Sequence, residues 1–444
     1  MITNGGANQA RTRAPRGRRA TWIVTAAVAA LLAAASVATP AAADAPPRVG
    51  IVCTTSTAGS PGQPVFDLTT TTGYISLPDG NTAFMWGYSN GFDSFQHPGP
   101  VLCVNEGDVV TVILHNTFAE PVSVMFPGQT GVLADGVPAA PELDGSGVMT
   151  SLTPTAPAGG GTVTYTFTAA NPGTYLYESG TNPEKQVRMG LFGALIVRPT
   201  LGADYAYDRA DSKFTPSEEF MVLLSEIDPY QHQAVEEGRS FNMNTYHPRY
   251  WLINGRGFPD SIADNGASWL PTQPYGALAS VYSYDATDHP DPGLARYLNV
   301  GTEDYPFHPH GNNGTVIARD GRPLEGPGGE DLSFEKFAIN IGPGQTWDVL
   351  FKWYDAESYD PVTNPVPVTV PSLANQVIGV FYSGSPYLGT QEALPPGTQS
   401  LNQCGEYYII SHNHALYQIT SWGVTMTGPI TYMRINPPTP NNCG

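Results

Sequence analysis

The sequence predicts an all-β protein of β-sandwich architecture, and three observations carry that prediction. Gly (48), Pro (42) and Tyr (23) are abundant while only 13% of residues are charged, a composition suited to short strands joined by many turns. Val109–Asn116 is β-branched and Thr162–Phe167 alternates with period two. Long periodic helical segments are absent beyond the N-terminus. A length of 444 residues suits two or three domains. The strand runs group into two, over 65–199 and 218–437, with a linker over 200–217 and a tail over 438–444.

Residues 1–43 read as an export signal. Arg11, Arg13, Arg16, Arg18 and Arg19 form its charged end, Trp22–Ala35 is mostly apolar, and Ala41-Ala42-Ala43 is a small-residue cleavage site. The apolar run is short and soon meets Thr39-Pro40, so no membrane span is expected after cleavage. Both the general (Sec) and the twin-arginine (Tat) route stay open, the latter through Arg18-Arg19. The expected location is secreted or extracytoplasmic. Losing five arginines takes the formal charge from −19 to −24. Such an acidic surface argues against nucleic acid or anionic membrane as partner and is compatible with cations. A Pro/Ala/Ser/Thr-rich lead-in over 44–64 is expected to be disordered. Four cysteines in an exported chain favour two disulfides. Of three connectivities, Cys53–Cys103 with Cys404–Cys443 is preferred, the second bond tying down the C-terminal tail.

In the first domain, strands are expected over Val101–Asn116, Thr162–Phe167, Gly173–Gly180 and Gly190–Val197, with a Gly159-Gly160-Gly161 loop. In the second they are expected over Phe220–Glu226, Tyr250–Arg256, Ala295–Val300, Val316–Gly321, Phe337–Gln345, Trp347–Phe351, Glu406–Ser411 and Ile430–Ile435. Residues 257–292 read as a long loop or insertion.

The candidate site lies in the second domain. Tyr305-Pro306-Phe307-His308-Pro309-His310-Gly311 is answered about a hundred residues later by Ser411-His412-Asn413-His414. Residues i and i+2 of a strand share a face, so each pair presents two imidazoles together. If the two strands are neighbours, four rings converge. Imidazole is a common ligand of copper and zinc. The other reading is a hydrogen-bonded polar cluster. His97, His115, His232, His247 and His289 stand alone and receive no role; His247 and His289 each precede proline and are expected at the surface. No phosphate loop, Ser-His-Asp order or Cys-x-x-Cys pair is present.

Taken in order, these motifs resemble the multicopper oxidase family, built from cupredoxin-like Greek-key β-sandwiches. Pro98-Gly99-Pro100…Glu106-Gly107-Asp108…Asn116 and Gly173-Thr174-Tyr175-Leu176-Tyr177…Gly190-Leu191-Phe192-Gly193-Ala194-Leu195-Ile196-Val197 carry the likeness in the first domain. Ile253-Asn254-Gly255, Val316…Asp320-Gly321 and Pro343-Gly344-Gln345…Asp348-Val349-Leu350 carry it in the second. The family's metal motifs are degenerate here. Its first His-x-His falls on Met125-Phe126-Pro127, and its second on Glu178-Ser179-Gly180. Tyr305 stands at the first histidine of the third motif. Asn413 replaces the cysteine of the fourth, and Gln418 its last histidine.

A blue-copper centre needs a thiolate with two histidines, so none is expected. Of the eight histidines that the family places around its trinuclear cluster, at most four remain. The resemblance then implies a reduced metal site of His308, His310, His412 and His414, with Glu178 as a further candidate ligand; a salt bridge from Glu178 to Lys185 or Arg188 is the other reading. Copper is the expected cofactor, with zinc the second candidate. Tyr305 is either a core residue or a phenol beside the metal. The expected function is a copper-binding oxidoreductase of limited scope acting on a small molecule or metal ion. The alternatives are a scaffold that has lost copper and works through protein contacts in the cell envelope, and a copper carrier without turnover. Two-domain members of the superfamily are often trimers, which adds a homotrimer to the expectations.

Overall fold

The computed structural model describes residues 47–354 apart from 55 and 57, residues 362–363, and residues 407–436. The expected export signal over residues 1–43, Cys404 and Cys443 lie outside the described residues. The chain is a β-protein of curled, packed sheets. In the first sandwich, β1 (Gln63–Ser76) pairs antiparallel with β2 (Thr82–Asn90). It also pairs parallel with β4 (Val109–His115), which pairs antiparallel with β5 (Thr162–Thr168). The facing sheet joins β3 (Leu102–Asn105), β6 (Gly173–Glu178) and β7 (Phe192–Arg198). Alternation decides which residues face inward. Val110, Val112 and Leu114 of β4, and Val163, Tyr165 and Phe167 of β5, fill the core between the sheets.

The second sandwich repeats this plan. Its larger sheet runs β13 (Gly314–Arg319), β15 (Thr346–Phe351), β11 (Gly293–Asn299), β8 (Glu219–Ile227), β9 (Tyr250–Ile253), then the hairpin β17 (Thr420–Ser421) and β18 (Val424–Thr425). The five-stranded sheet runs β10 (Ala279–Tyr282), β19 (Ile430–Asn436), β16 (Tyr407–Asn413), β12 (Tyr305–Pro309) and β14 (Ile339–Ile341). β10 corrects the reading of 257–292 as loop. It is short, and its partner Met433–Asn436 lies far along the chain, so no local pattern announced it.

The described residues, from Pro47 onward, form one compact unit, and the reason is visible in two strands. In β8, Phe220, Val222 and Leu224 point into the second sandwich, while Met221 and Leu223 point toward the first. In β7, Leu195 and Val197 point into the first sandwich, while Phe192, Ala194 and Ile196 meet Met221 and Leu223. Both strands are buried on both faces, which is why they read as continuous apolar runs. Polar groups cross the same boundary. Arg198 of β7 forks onto both carboxylate oxygens of Glu219 at 2.6 Å each, and Arg296 Nε reaches Glu219 Oε1 at 2.5 Å. Arg296 Nη1 donates to Thr174 at 2.8 Å and lies 3.7 Å from Asp348.

Two short helices sit beside the first sandwich. α1 (Pro183–Met189) has proline at its first turn and ends on Gly190 at φ 118, a left-handed residue that glycine adopts without strain. α2 (Pro229–Glu236) is capped by Asp228, whose side chain accepts from the Tyr230 N–H at 2.9 Å. Cys53 and Cys103 form a disulfide with a Cα separation of 5.5 Å, as expected. The lead-in is less free than its composition suggested. Thr54 donates its N–H to Val101 at 2.7 Å, and Asn265 Nδ2 donates to the carbonyls of Pro47 and Gly50 at 2.9 and 3.0 Å.

Candidate metal centre

The cluster is built by one register. β12 and β16 are antiparallel neighbours, and His308 lies directly opposite His412. Opposed side chains on one face stand about 4.5–5.5 Å apart at Cβ. His310 and His414 follow one strand period later on each chain direction, so they fall at opposite corners. The backbone holds both corners, with His310 N–H donating to Ile410 at 3.0 Å and His414 N–H to Pro306 at 2.8 Å. The ring centroids of His308 lie 4.6, 5.8 and 5.4 Å from those of His310, His412 and His414. His412 lies 5.1 Å from His310 and 5.5 Å from His414. Tyr305 and Phe307 alternate to the other face of β12 and are fully buried in the core.

Hydrogen bonds assign the ring protons. A carbonyl oxygen only accepts, so His412 Nδ1–H donates to Asn413 O and His308 Nδ1–H to Phe337 O, each at 2.8 Å. That leaves the Nε2 lone pair of both rings free of a proton, the orientation in which backbone carbonyls set metal-binding imidazoles. His310 Nε2 lies 3.0 Å from His412 Nε2. Two imidazole nitrogens on one metal, at about 2.0–2.1 Å and roughly 90–110° apart, are about 2.9–3.4 Å from each other. As the molecule stands, His310 Nε2–H donates to His412. Burial, against a weaker opposing hydrogen bond to Asn413 O and with help from the neighbouring rings, pushes His412 down to about 4; burial and the rings of His308 and His414 lower His310. Neutral imidazoles suit a soft or borderline metal ion once His310 moves its proton to Nδ1 and turns a second lone pair toward that of His412. Among the described residues no three His, Cys, Asp or Glu side chains are already gathered as a complete shell. The fit is therefore a formed pair, His310 and His412, with two further rings within one ring's width.

Glu178 is not joined to this cluster. It ends β6 opposite Phe192, with its backbone bridged to Met125, and no hydrogen bond, ion pair or ring contact links it to the four histidines among the described residues. Its two expected cations are engaged elsewhere, Lys185 with Glu120 and Arg188 over the Tyr246 ring. Burial pushes the Glu178 carboxyl up to about 7.

Beside the cluster, on the core side, amides and carboxylates form a hydrogen-bonded network. Asn413 Nδ2 donates to Gln418 Oε1. Gln418 Nε2 and Trp251 Nε1 donate to Glu303 Oε2 at 2.6 and 2.8 Å. Tyr305 OH donates to Glu226 Oε2 at 2.6 Å, and Thr302 donates to Glu226 Oε1 through N and Oγ1 at 2.5 and 2.7 Å. Tyr305 is thus a hydrogen-bonded core residue. Glu226 and Glu303 carried no signal in the sequence, because the partners named here lie about 50 or more residues away. His247 is exposed as expected. His289 is half-buried, stacked on Tyr282 at 4.1 Å. His97 and His232 are buried at 1% and 2% exposure.

A multicopper oxidase family profile matches residues 69–201. Copper resistance protein A of Escherichia coli is 29% identical over 38% of this chain and 25% of its own length. An L-ascorbate oxidase of Cucurbita maxima is 33% identical over 42% of this chain and 29% of its own length. The chain thus matches about a quarter of the length of these curated relatives. Among solved structures, the multicopper oxidase mgLAC superposes with a TM-score of 0.54 at 18% identity, covering 84% of this chain and 86% of that one.

Proposed function

From the premise that this chain belongs to the multicopper oxidase superfamily, we propose that it binds one copper ion through His310 and His412, completed by His308 and His414. It acts as an exported oxidoreductase of limited scope on a small molecule or metal ion. The observation that carries this reading is the 3.0 Å approach of His310 Nε2 to His412 Nε2, with His412 held as its Nδ1–H tautomer. Bound copper supplies one-electron redox chemistry. The chain does the rest. Asn413 O and Phe337 O hold the rings of His412 and His308 so that their Nε2 lone pairs stay available. His310 shifts its proton from Nε2 to Nδ1 in order to ligate. His414 is exposed and leaves one side of the site open to a reactant. The Asn413–Gln418–Glu303 and Tyr305–Glu226 bonds offer no sulfur, and among the described residues no thiolate stands beside the cluster to relay electrons from a bulky donor. The N-terminal signal and the Cys53–Cys103 disulfide support export to an oxidising compartment.

A second reading, a copper-free scaffold acting through protein contacts, draws support from the incomplete shell among the described residues. Electron paramagnetic resonance of the Cu(II)-loaded protein separates the two. Nitrogen hyperfine structure from imidazole, lost in His412→Ala, is expected; a spectrum of aqueous copper unchanged by that substitution selects the scaffold. Oxygen uptake with a phenol or a reduced metal ion then separates an enzyme from a carrier.

A further inference from the structure

A cavity of ≈ 590 Å³ lies between α2 and the β17–β18 hairpin, and none of the four clustered histidines lines it. We propose that it binds a small organic cation of the alkylammonium class. Its size is that of a small-molecule pocket, about 300–1,000 Å³. Four aromatic residues line it, Phe84, Tyr230, Tyr250 and Trp422, together with two carboxylates, Asp79 and Glu236. No Lys or Arg side chain lines it.

Both carboxylates are held by neutral donors only. Asp79 Oδ2 accepts from Tyr250 OH and Asn81 Nδ2 at 2.9 Å each, and Glu236 accepts from Tyr74 OH. Among the described residues neither takes part in an ion pair, so a cation meets negative charge that no described side chain neutralises. The rings supply the other half of the recognition. Trp422 stands edge-on to Tyr230 and Tyr250 at 5.7 and 6.0 Å between centroids. Tyr230 and Trp422 are 53% and 46% exposed, so ring surface remains for a ligand. A cation over such faces is attracted by the negative face of each ring's quadrupole.

The backbone points the same way independently. Trp422 and Gly423 form the two-residue turn of the hairpin with φ 48 and 83. Such a turn favours Asn-Gly. A bulky residue held left-handed is strained. Strain of this kind collects at binding sites, and here it holds an indole over the mouth of a cavity ringed by aromatics and acids.

Calorimetric and proton-NMR titration of the full chain with choline chloride, at ionic strength matched with NaCl, tests the proposal. Choline is expected to bind at about millimolar Kd, and its neutral isostere 3,3-dimethyl-1-butanol at least 10-fold more weakly. Trp422→Asn keeps the fold, since Asn-Gly suits the turn, so its Tm does not fall. It should weaken choline binding about 10-fold, and Glu236→Gln about 3-fold. Equal binding of the neutral analogue, no binding of choline at 100-fold above that range, or unchanged binding in Trp422→Asn with an intact Tm overturns the proposal.

Discussion

Replacing Glu219 by Gln removes the negative charge at the middle of the boundary between the sandwiches. Glu219 accepts three guanidinium hydrogen bonds, two from Arg198 and one from Arg296, all at 2.5–2.6 Å. Two arginines face two acids there, since Asp348 lies 3.7 Å from Arg296. The substitution leaves one positive charge in excess. Arg296 is fully buried and its Nη2 already has no partner, so it has no route to water. Burial pushes the Glu219 carboxyl up, but Arg296 and Arg198 outweigh burial and hold it below the usual carboxylate range. Breaking a buried pair on one side costs about 3–5 kcal/mol. For a chain of this size each kcal/mol moves Tm by roughly 1–3 °C, so Glu219→Gln should melt about 3–15 °C lower by calorimetry at pH 7. Adding Arg296→Met removes the stranded charge, and the double variant should recover part of the loss. The electrostatic account is refuted by a single variant within about 1 kcal/mol of wild type, or by a double variant less stable than the sum of its parts.

Other substitutions test other parts. Tyr305→Phe strips the hydroxyl donor from the Glu226 carboxylate and should cost about 1–3 kcal/mol in urea unfolding, while copper uptake stays unchanged because Tyr305 faces the core, opposite His308. Glu218 is pushed up by burial to about 7 against an ordinary 4.5. A raised acid contributes its stability below pH 4.5 and loses it as pH rises through 7. Glu218→Gln still accepts the Tyr282 N–H, and should therefore stabilise by about 1–3 kcal/mol at pH 8 but not at pH 4. Burial, with the nearby His232, pushes His97 down to about 3 from 6.5. A depressed histidine contributes fully above pH 6.5 and loses that contribution as pH falls toward 3. His97→Phe, which keeps a ring edge-on to Phe192, should flatten the acid limb of the Tm–pH curve; an unchanged limb removes His97 from the account.

Much of the architecture was legible because strand periodicity is local. The runs at Val109–Asn116, Thr162–Phe167 and Phe220–Glu226 became strands close to their expected bounds. The His-x-His pairs were legible for the same reason: period two puts both rings on one face. What the pairs could not reveal is the register, His308 against His412, which depends on β12 and β16 finding each other across a hundred residues. β10 escaped for that reason too. α2 had a local signal in Asp228-Pro229, a cap followed by proline at the first turn. Glu226 and Glu303, which satisfy Tyr305 and Gln418, looked like ordinary acids, since a buried acceptor shows itself only once its donors are in place.

Copper stoichiometry bears most directly on the histidine cluster. The purified protein is loaded with Cu(II), freed of excess metal by desalting, and assayed by elemental analysis beside His308→Ala and His412→Ala. One copper per chain is expected in the parent, about tenfold less in His412→Ala, and an intermediate value in His308→Ala. Clearly substoichiometric copper in the parent, or the same copper content in all three proteins, contradicts a metal site at these four rings.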